Sequence, residues 1–263
     1  MIFANHAHVF PKEVKEKGTV DNLMRFMDEC GVDKAVCFAP FYNQLGSITD
    51  NQNIWLANQI KCNDRLVGFG TVNFNNNIED EVKRIADLGF KGIKMHPQYQ
   101  EFVVDGKEAF RVYAKAEELG LFISFHSGIH WHRLRDNNVL LFDEVAWNFP
   151  HLRFSMEHIG GYHFFREALG VMCNNSRGDI DHVYAGWTSI RDKYGPTAWA
   201  LSDADLETVI LQTGENRSIY GLDFPYHKPE DIKWDIERIN RLNISEECKQ
   251  NILGGTLTKV LGL

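Results

Sequence analysis

Residues 66–96 read LVGFGTVNFNNNIEDEVKRIADLGFKGIKMH. The segment begins with the apolar run 66–73, which has the length of a buried strand. Residues 78–88 follow, with apolar side chains every three or four positions and charged side chains between them, the pattern of an amphipathic helix. Gly89 suits the left-handed conformation that ends many helices, and a second apolar run starts at residue 92. The segment therefore predicts a strand–helix–strand unit of a parallel sheet.

The same alternation continues along the whole chain. Eight strands are predicted, at residues 2–8, 34–39, 66–73, 92–96, 122–126, 154–158, 182–187 and 218–223. Amphipathic helices are predicted at residues 20–30, 78–88, 110–119, 141–147, 165–173, 206–212 and 246–260. Residues 174–197 are interpreted as a loop, the seventh strand and a second long loop. Eight alternations without a change in composition favour a single-domain (β/α)8 TIM barrel over residues 1–263 rather than a doubly wound sheet.

Composition excludes several classes of protein. The net charge is −8 and the lysines and arginines are scattered, which argues against nucleic-acid binding. We expect no membrane anchor, because no run approaches the roughly 20 apolar residues of a spanning helix, and the first ten residues do not resemble a signal peptide. The five cysteines form no CxxC pair, so we expect free thiols and a cytoplasmic location.

Potential metal ligands stand at the ends of several predicted strands. His6 and His8 end the first strand, and residues two apart on a strand point to the same face. His126, His158 and Asp223 end the fifth, sixth and eighth strands. An isolated HxH pair is equally compatible with two polar residues at a strand edge. In a parallel barrel, however, all carboxyl ends of the strands meet at one mouth, so the joint placement predicts one site suited to zinc or a similar ion.

These motifs resemble the amidohydrolase superfamily. The resemblance is closest to the branch of small metal-dependent hydrolases that includes aminocarboxymuconate-semialdehyde decarboxylase and related aromatic acid decarboxylases. It spans nearly the whole chain through HAH at 6–8, GIKMHP at 92–97, FHSG at 125–128, EHIGG at 157–161, GLDFP at 221–225 and NILGG at 251–255.

The resemblance implies roles for individual residues. His6, His8, His126 and Asp223 would be ligands of one divalent metal, with zinc expected first and manganese, iron or cobalt as alternatives. His158 would contact or polarise the water that the metal activates, and Asp223 would also move a proton. Catalysis would therefore depend on His158 and Asp223.

Other side chains are expected to contact a substrate. Lys94 and His96 share a face of the fourth strand. In relatives with two metals, a carbamylated lysine at this strand bridges the ions. The branch that this chain resembles implies one metal. Lys94 is alternatively an interior cation paired with a carboxylate. His130 and Arg133 lie in the loop after the fifth strand, where they could hold an anionic substrate or be solvated, and Tyr226 follows Asp223.

Two reactions and one non-catalytic role are compatible with this sequence. The first hypothesis is hydrolysis of an amide, ester or lactone of a small molecule. The alternative is decarboxylation of a small unsaturated or aromatic carboxylic acid, and the third is a barrel that only binds a ligand. His151, His163 and His227 are expected on the surface, and a homodimer is compatible with the acidic composition.

Overall fold

A computed structural model describes residues 1–45, 51–176 and 182–263. Eight strands form a closed parallel barrel in which neighbours in sequence are paired and the last strand pairs with the first. The strands are β1 Phe3–His8, β2 Lys34–Phe38, β3 Leu66–Gly70, β4 Gly92–Met95, β5 Phe122–His126, β6 Phe154–Glu157, β7 Val183–Thr188 and β8 Ser218–Phe224. The predicted (β/α)8 barrel is confirmed. Residues 177–181 of the predicted loop before β7 lie outside the described residues.

Helices connect the strands. They are α1 Val20–Cys30, α2 Gln52–Ile60, α3 Ile78–Asp87, α4 Pro97–Gln100, α5 Lys107–Glu118, α6 Leu141–Asn148, α7 Gly161–Asn174, α8 Asp203–Thr213, α9 Pro229–Arg241, α10 Glu246–Gln250 and α11 Thr256–Leu261. The prediction missed α2, α9 and the single-turn helix α4. It also joined α10 and α11 into one helix, whereas the π-helical turn Asn251–Gly255 separates them. Gly89 follows α3 with φ of 77°, as the sequence predicted. In the described part of the chain, no helix is long and apolar enough to span a bilayer, and all five cysteines are free.

The two ends of the barrel interior have different chemistry. An apolar layer fills the interior on the side that α11 covers, and it reaches up to Phe38, whose ring centroid lies 5.0 Å from that of His6. This layer contains Phe3, Val36, Phe38, Phe69, Phe122, Tyr184 and Ile219, together with Leu257, Val260 and Leu261 of α11. The carboxyl end instead carries histidines and carboxylates, so the chemistry is confined to the mouth where barrel enzymes place their sites.

A β-bulge in β1 determines where the first histidine points. The register of β1 shifts between Ala4 and Ala7 against β2 and between Asn5 and Ala7 against β8, and His6 has φ of 69°. Regular alternation would send Asn5 and His6 to opposite faces. Because of the bulge, both side chains reach Glu157 in the barrel interior. His6 and His8 still lie together, with ring centroids 5.0 Å apart.

Candidate metal centre

Side chains at the carboxyl ends of the strands surround a cavity of about 500 Å³. This volume lies within the range of small-molecule sites, roughly 300–1,000 Å³. Most of the predicted site residues line it: His6, His8, His96, His126, His130, His158, Asp223 and Tyr226. Lys94 and Arg133 do not belong to the described lining.

Three potential ligand atoms converge at the floor of this cavity. Asp223 Oδ1 lies 3.5 Å from His6 Nε2 and 3.9 Å from His8 Nε2. In the described part of the chain, these three residues form the one group of three or more side chains whose ligand atoms all lie within 4.8 Å of one another. Two ligands about 2.1 Å from a tetrahedral ion are roughly 3.4 Å apart. The spacing and the donor types therefore fit zinc or a similar divalent ion.

The predicted ligand His126 lies outside this group. Its Nε2 donates a hydrogen bond to the Gly128 carbonyl at 2.9 Å. Its ring stacks on His96, with centroids 3.9 Å apart and an interplanar angle of 5°. His126 would have to release the Gly128 carbonyl before its Nε2 could bind a metal.

His158 borders the three-ligand group. Its ring centroid lies 5.3 Å from that of His6 and 4.8 Å from that of His126. The Thr188 carbonyl accepts a hydrogen bond from Nδ1 at 2.9 Å, so Nδ1 carries the proton and Nε2 carries a lone pair. Burial, together with the positive charge of Lys94, lowers the pKa of His158 to about 3. His158 is therefore a neutral acceptor at pH 7.

The buried carboxylate of Glu157 organises the floor of the site, and the sequence reading did not identify it. Glu157 has no exposed surface. Its Oε2 lies 3.1 Å from His6 Nδ1, which therefore keeps its proton there and presents Nε2 to the cavity. The other donors to this carboxylate are Asn5 Nδ2 and the hydroxyls of Ser124, Ser155 and Thr188. A side chain at Gly186 would come within 2.5 Å of the carboxylate, so glycine is required beside it.

Burial and nearby charges set the protonation states. Burial lowers the pKa values of His6 and His8 well below 6.5; the positive charge of Lys94 adds to this at His6. Burial raises the pKa of Asp223, and the Ser189 hydroxyl opposes that shift. Neutral imidazoles have the lone pairs that metal binding requires.

Lys94 and Arg133, which were predicted to contact a substrate, lie outside the lining of the cavity. Lys94 is fully buried below the cavity, with its Nζ 5.2 Å from the centroid of the Phe38 ring. Among the described residues no group accepts a hydrogen bond from that Nζ. Burial lowers its pKa to about 8, against the attraction of Glu157 and Asp223. Arg133 is exposed to solvent.

The expectation that His227 lies on the surface is wrong. His227 lines the cavity, and its side chain is 19% exposed. Its Nε2 lies 2.6 Å from Ser189 Oγ, which in turn lies 2.5 Å from Asp223 Oδ2. The four-residue separation between Asp223 and His227 was visible in the sequence, but Ser189 comes from the distant loop after β7.

The family comparison agrees with this geometry. Residues 5–263 match the family model described as amidohydrolase. The chain belongs to the amidohydrolase family. No curated protein sequence matches it. The resemblance found in the motifs is thus confirmed.

Solved structures share the fold of this amidohydrolase at low sequence identity. A candidate 2-pyrone-4,6-dicarboxylic acid hydrolase from Pseudomonas putida is 18% identical with a TM-score of 0.72, over 99% of this chain and 97% of that one. The 5-carboxyvanillate decarboxylase of Sphingomonas paucimobilis is 15% identical with a TM-score of 0.72, over 100% and 99%. A dihydroxybenzoic acid decarboxylase from Polaromonas sp. JS666, solved with bound manganese and 2-nitroresorcinol, is 14% identical with a TM-score of 0.71, over 100% and 97%. The relatives in fold therefore include hydrolases and decarboxylases.

The walls of the cavity in this amidohydrolase are largely aromatic. They include Phe41, Tyr99, Trp131, Tyr194, Trp199 and Tyr226. Arg191 is the one lysine or arginine among the described lining residues. Its guanidinium is already paired with Asp235, through Nε at 3.1 Å and Nη2 at 2.5 Å. The walls suit a planar substrate, but they offer little uncompensated positive charge.

Proposed function

We propose that this amidohydrolase is a metal-dependent hydrolase that cleaves an amide, ester or lactone bond of a small molecule. The observation that carries the proposal is the convergence of His6 Nε2, His8 Nε2 and Asp223 Oδ1 at the cavity floor. These atoms would hold one divalent ion, with zinc expected first and manganese, iron or cobalt as alternatives. A second ion would require a carbamate on Lys94, which is buried outside the lining of the cavity.

The ion would lower the pKa of a water molecule and polarise a substrate carbonyl. His158 supports the same reaction. Its ring is buried, its Nε2 is an acceptor, and the Thr188 carbonyl holds the ring through Nδ1. His158 would accept a hydrogen bond from the attacking water and orient it, and Asp223 would take up the proton that this water loses. Glu157 would keep His6 in the tautomer that leaves Nε2 free.

Decarboxylation of an unsaturated or aromatic acid is the second candidate. The aromatic walls favour it, because they match a planar ring. Hydrolysis is placed first because an acid substrate needs a cation, and the guanidinium of Arg191 is already paired with Asp235. Hydrolysis needs only water and an acceptor such as His158.

An assay of both reactions on the same preparations tests this proposal. Metal-free protein and protein loaded with Zn²⁺ or Mn²⁺ would be tested for acid release from lactones, esters and amides, and for CO₂ release from aromatic acids. We expect acid release that depends on metal and is lost in Asp223→Asn. Asp87→Asn is the matched control, because Asp87 is an exposed carboxylate of α3 that pairs with Lys83. CO₂ release alone would favour the second candidate, and activity without metal would contradict both.

A further inference from the structure

A chain of hydrogen bonds runs from the cavity wall to the carboxylate of Asp223. Arg191 Nη1 lies 2.9 Å from His227 Nδ1. His227 Nε2 lies 2.6 Å from Ser189 Oγ, and Ser189 Oγ lies 2.5 Å from Asp223 Oδ2. Asp235 holds the other edge of the Arg191 guanidinium with both of its oxygens. These bonds link five side chains one after another. The side chains come from the β7–α8 loop, β8, the loop after β8, and α9.

The direction of every bond in this chain follows from Arg191. A guanidinium only donates, so His227 Nδ1 must accept and cannot carry a proton. The single proton of the neutral imidazole is then on Nε2, which donates to Ser189 Oγ. The Ser189 hydroxyl is left with one direction for its own proton, toward Asp223 Oδ2. The chain therefore delivers a hydrogen bond to one oxygen of Asp223 only.

We propose that Arg191, His227 and Ser189 are positioning residues that hold Asp223 with Oδ2 engaged by the Ser189 hydroxyl and Oδ1 directed at His6 and His8. The inference rests on the proposed metal site. Oδ1 is the oxygen that lies 3.5 Å from His6 Nε2 and 3.9 Å from His8 Nε2, whereas Oδ2 faces Ser189 and His227. A carboxylate fixed in this way binds an ion through one oxygen without first losing rotational freedom.

This series of hydrogen bonds fixes the orientation of Asp223 and does not conduct protons. It ends at Arg191, which does not lose its proton in proteins, and that side chain is only 7% exposed and neutralised by Asp235. The surrounding fold also holds the backbone of Ser189 and Asp223 in an unfavourable conformation. Ser189 and Asp223 have φ of 57° and 53°, in the left-handed region that non-glycine residues adopt only at an energetic cost.

Metal affinity tests this role independently of turnover. Zn²⁺ dissociation constants would be measured by chelator competition for the full chain, and the absorption spectrum of the Co²⁺-substituted protein would report the ligand geometry. The main pair of variants is His227→Leu and His227→Gln. Leucine removes both hydrogen bonds, whereas glutamine can donate to Ser189 and accept from Arg191. Ser189→Ala deletes the hydroxyl directly. Ser202→Ala is its matched control, because the Ser202 hydroxyl caps the amino terminus of α8 and does not line the cavity.

We expect His227→Leu and Ser189→Ala to bind Zn²⁺ about 10- to 100-fold more weakly than the wild type and to change the Co²⁺ spectrum. His227→Gln and Ser202→Ala should stay within about threefold of the wild type on the same scale. Wild-type affinity in both His227→Leu and Ser189→Ala would overturn the positioning role while leaving the metal site intact. Equal weakening by glutamine and leucine would also overturn it, because packing would then explain the loss. A wild-type protein that binds no metal would instead overturn the proposed function.

Discussion

Replacing Glu157 by glutamine tests how the floor of the site controls metal binding. The substitution preserves shape but converts one acceptor oxygen into an NH₂ donor. The amide oxygen would face Asn5, Ser124 and Ser155, because three donors converge on that side. The NH₂ group would then face His6 Nδ1 and the Thr188 hydroxyl.

The consequence for His6 is a change of tautomer. The Thr188 hydroxyl can rotate to accept from the new NH₂ group, but His6 Nδ1 can accept only by moving its proton to Nε2. A protonated Nε2 offers no lone pair to a metal. We therefore expect the Zn²⁺ affinity of Glu157→Gln to fall about 10- to 100-fold, or about 1.4–2.8 kcal/mol. All five hydrogen bonds to this carboxylate lose their charged acceptor, while a neutral amide costs less to bury than a carboxylate. The metal-free protein should therefore lose about 2 kcal/mol of stability, or about 4–8 °C in Tm.

Two measurements separate these effects. Chelator competition gives the dissociation constant for Zn²⁺, and thermal unfolding of the metal-free protein gives the loss of stability. Glu81→Gln is the matched control, because Glu81 is a 1% exposed carboxylate that accepts from Asn76 and Arg84 away from the ligands. It should lose stability and keep its metal affinity. If Glu157→Gln bound Zn²⁺ as tightly as the wild type, the proposed control of the His6 tautomer would be refuted.

Three further predictions follow from the same geometry. His158→Gln should lower kcat by roughly 10²- to 10⁴-fold while metal affinity stays within about threefold of the wild type, and loss of the metal itself would show that His158 is a ligand instead. The stability of the metal-free protein should fall as the pH drops below 6.5 toward 3. In that window the unfolded chain binds a proton at His158 that the folded chain does not. The free energy of unfolding, measured by chemical denaturation, should therefore fall by as much as about 1.4 kcal/mol per pH unit. Metal analysis should give one equivalent per chain with or without bicarbonate, because Lys94 lies outside the cavity lining; two equivalents with bicarbonate would indicate a carbamate.

Periodicity located the strands well because each one is a compact apolar run. The strand Phe122–His126 has the predicted bounds, and the others differ from their predicted bounds by at most three residues at either end. The helix Pro229–Arg241 was missed although its isoleucines at 232, 236 and 239 have helical spacing. The helix Gln52–Ile60 gave a weaker signal. It buries Gln52 and Asn53, whose amides bind the Thr71 backbone instead of packing against apolar side chains.

The site was predicted less completely because part of it depends on contacts between distant residues. The position of His6, His8 and Asp223 at the ends of predicted strands indicated that they would meet. It did not indicate that a β-bulge turns His6 into the barrel interior. Glu157 did leave a signal, since a carboxylate within a short apolar strand must be buried with partners. Ser189 and Arg191 gave no such signal in the sequence, because their partners lie 34 and 44 residues away.

Anomalous diffraction from crystals of the Zn²⁺-loaded protein would locate the ion itself. We expect one strong peak about 2.0–2.2 Å from His6 Nε2, His8 Nε2 and Asp223 Oδ1. A peak coordinated by other side chains, or crystals that contain zinc but show no peak at the floor of the cavity, would contradict the proposed metal site.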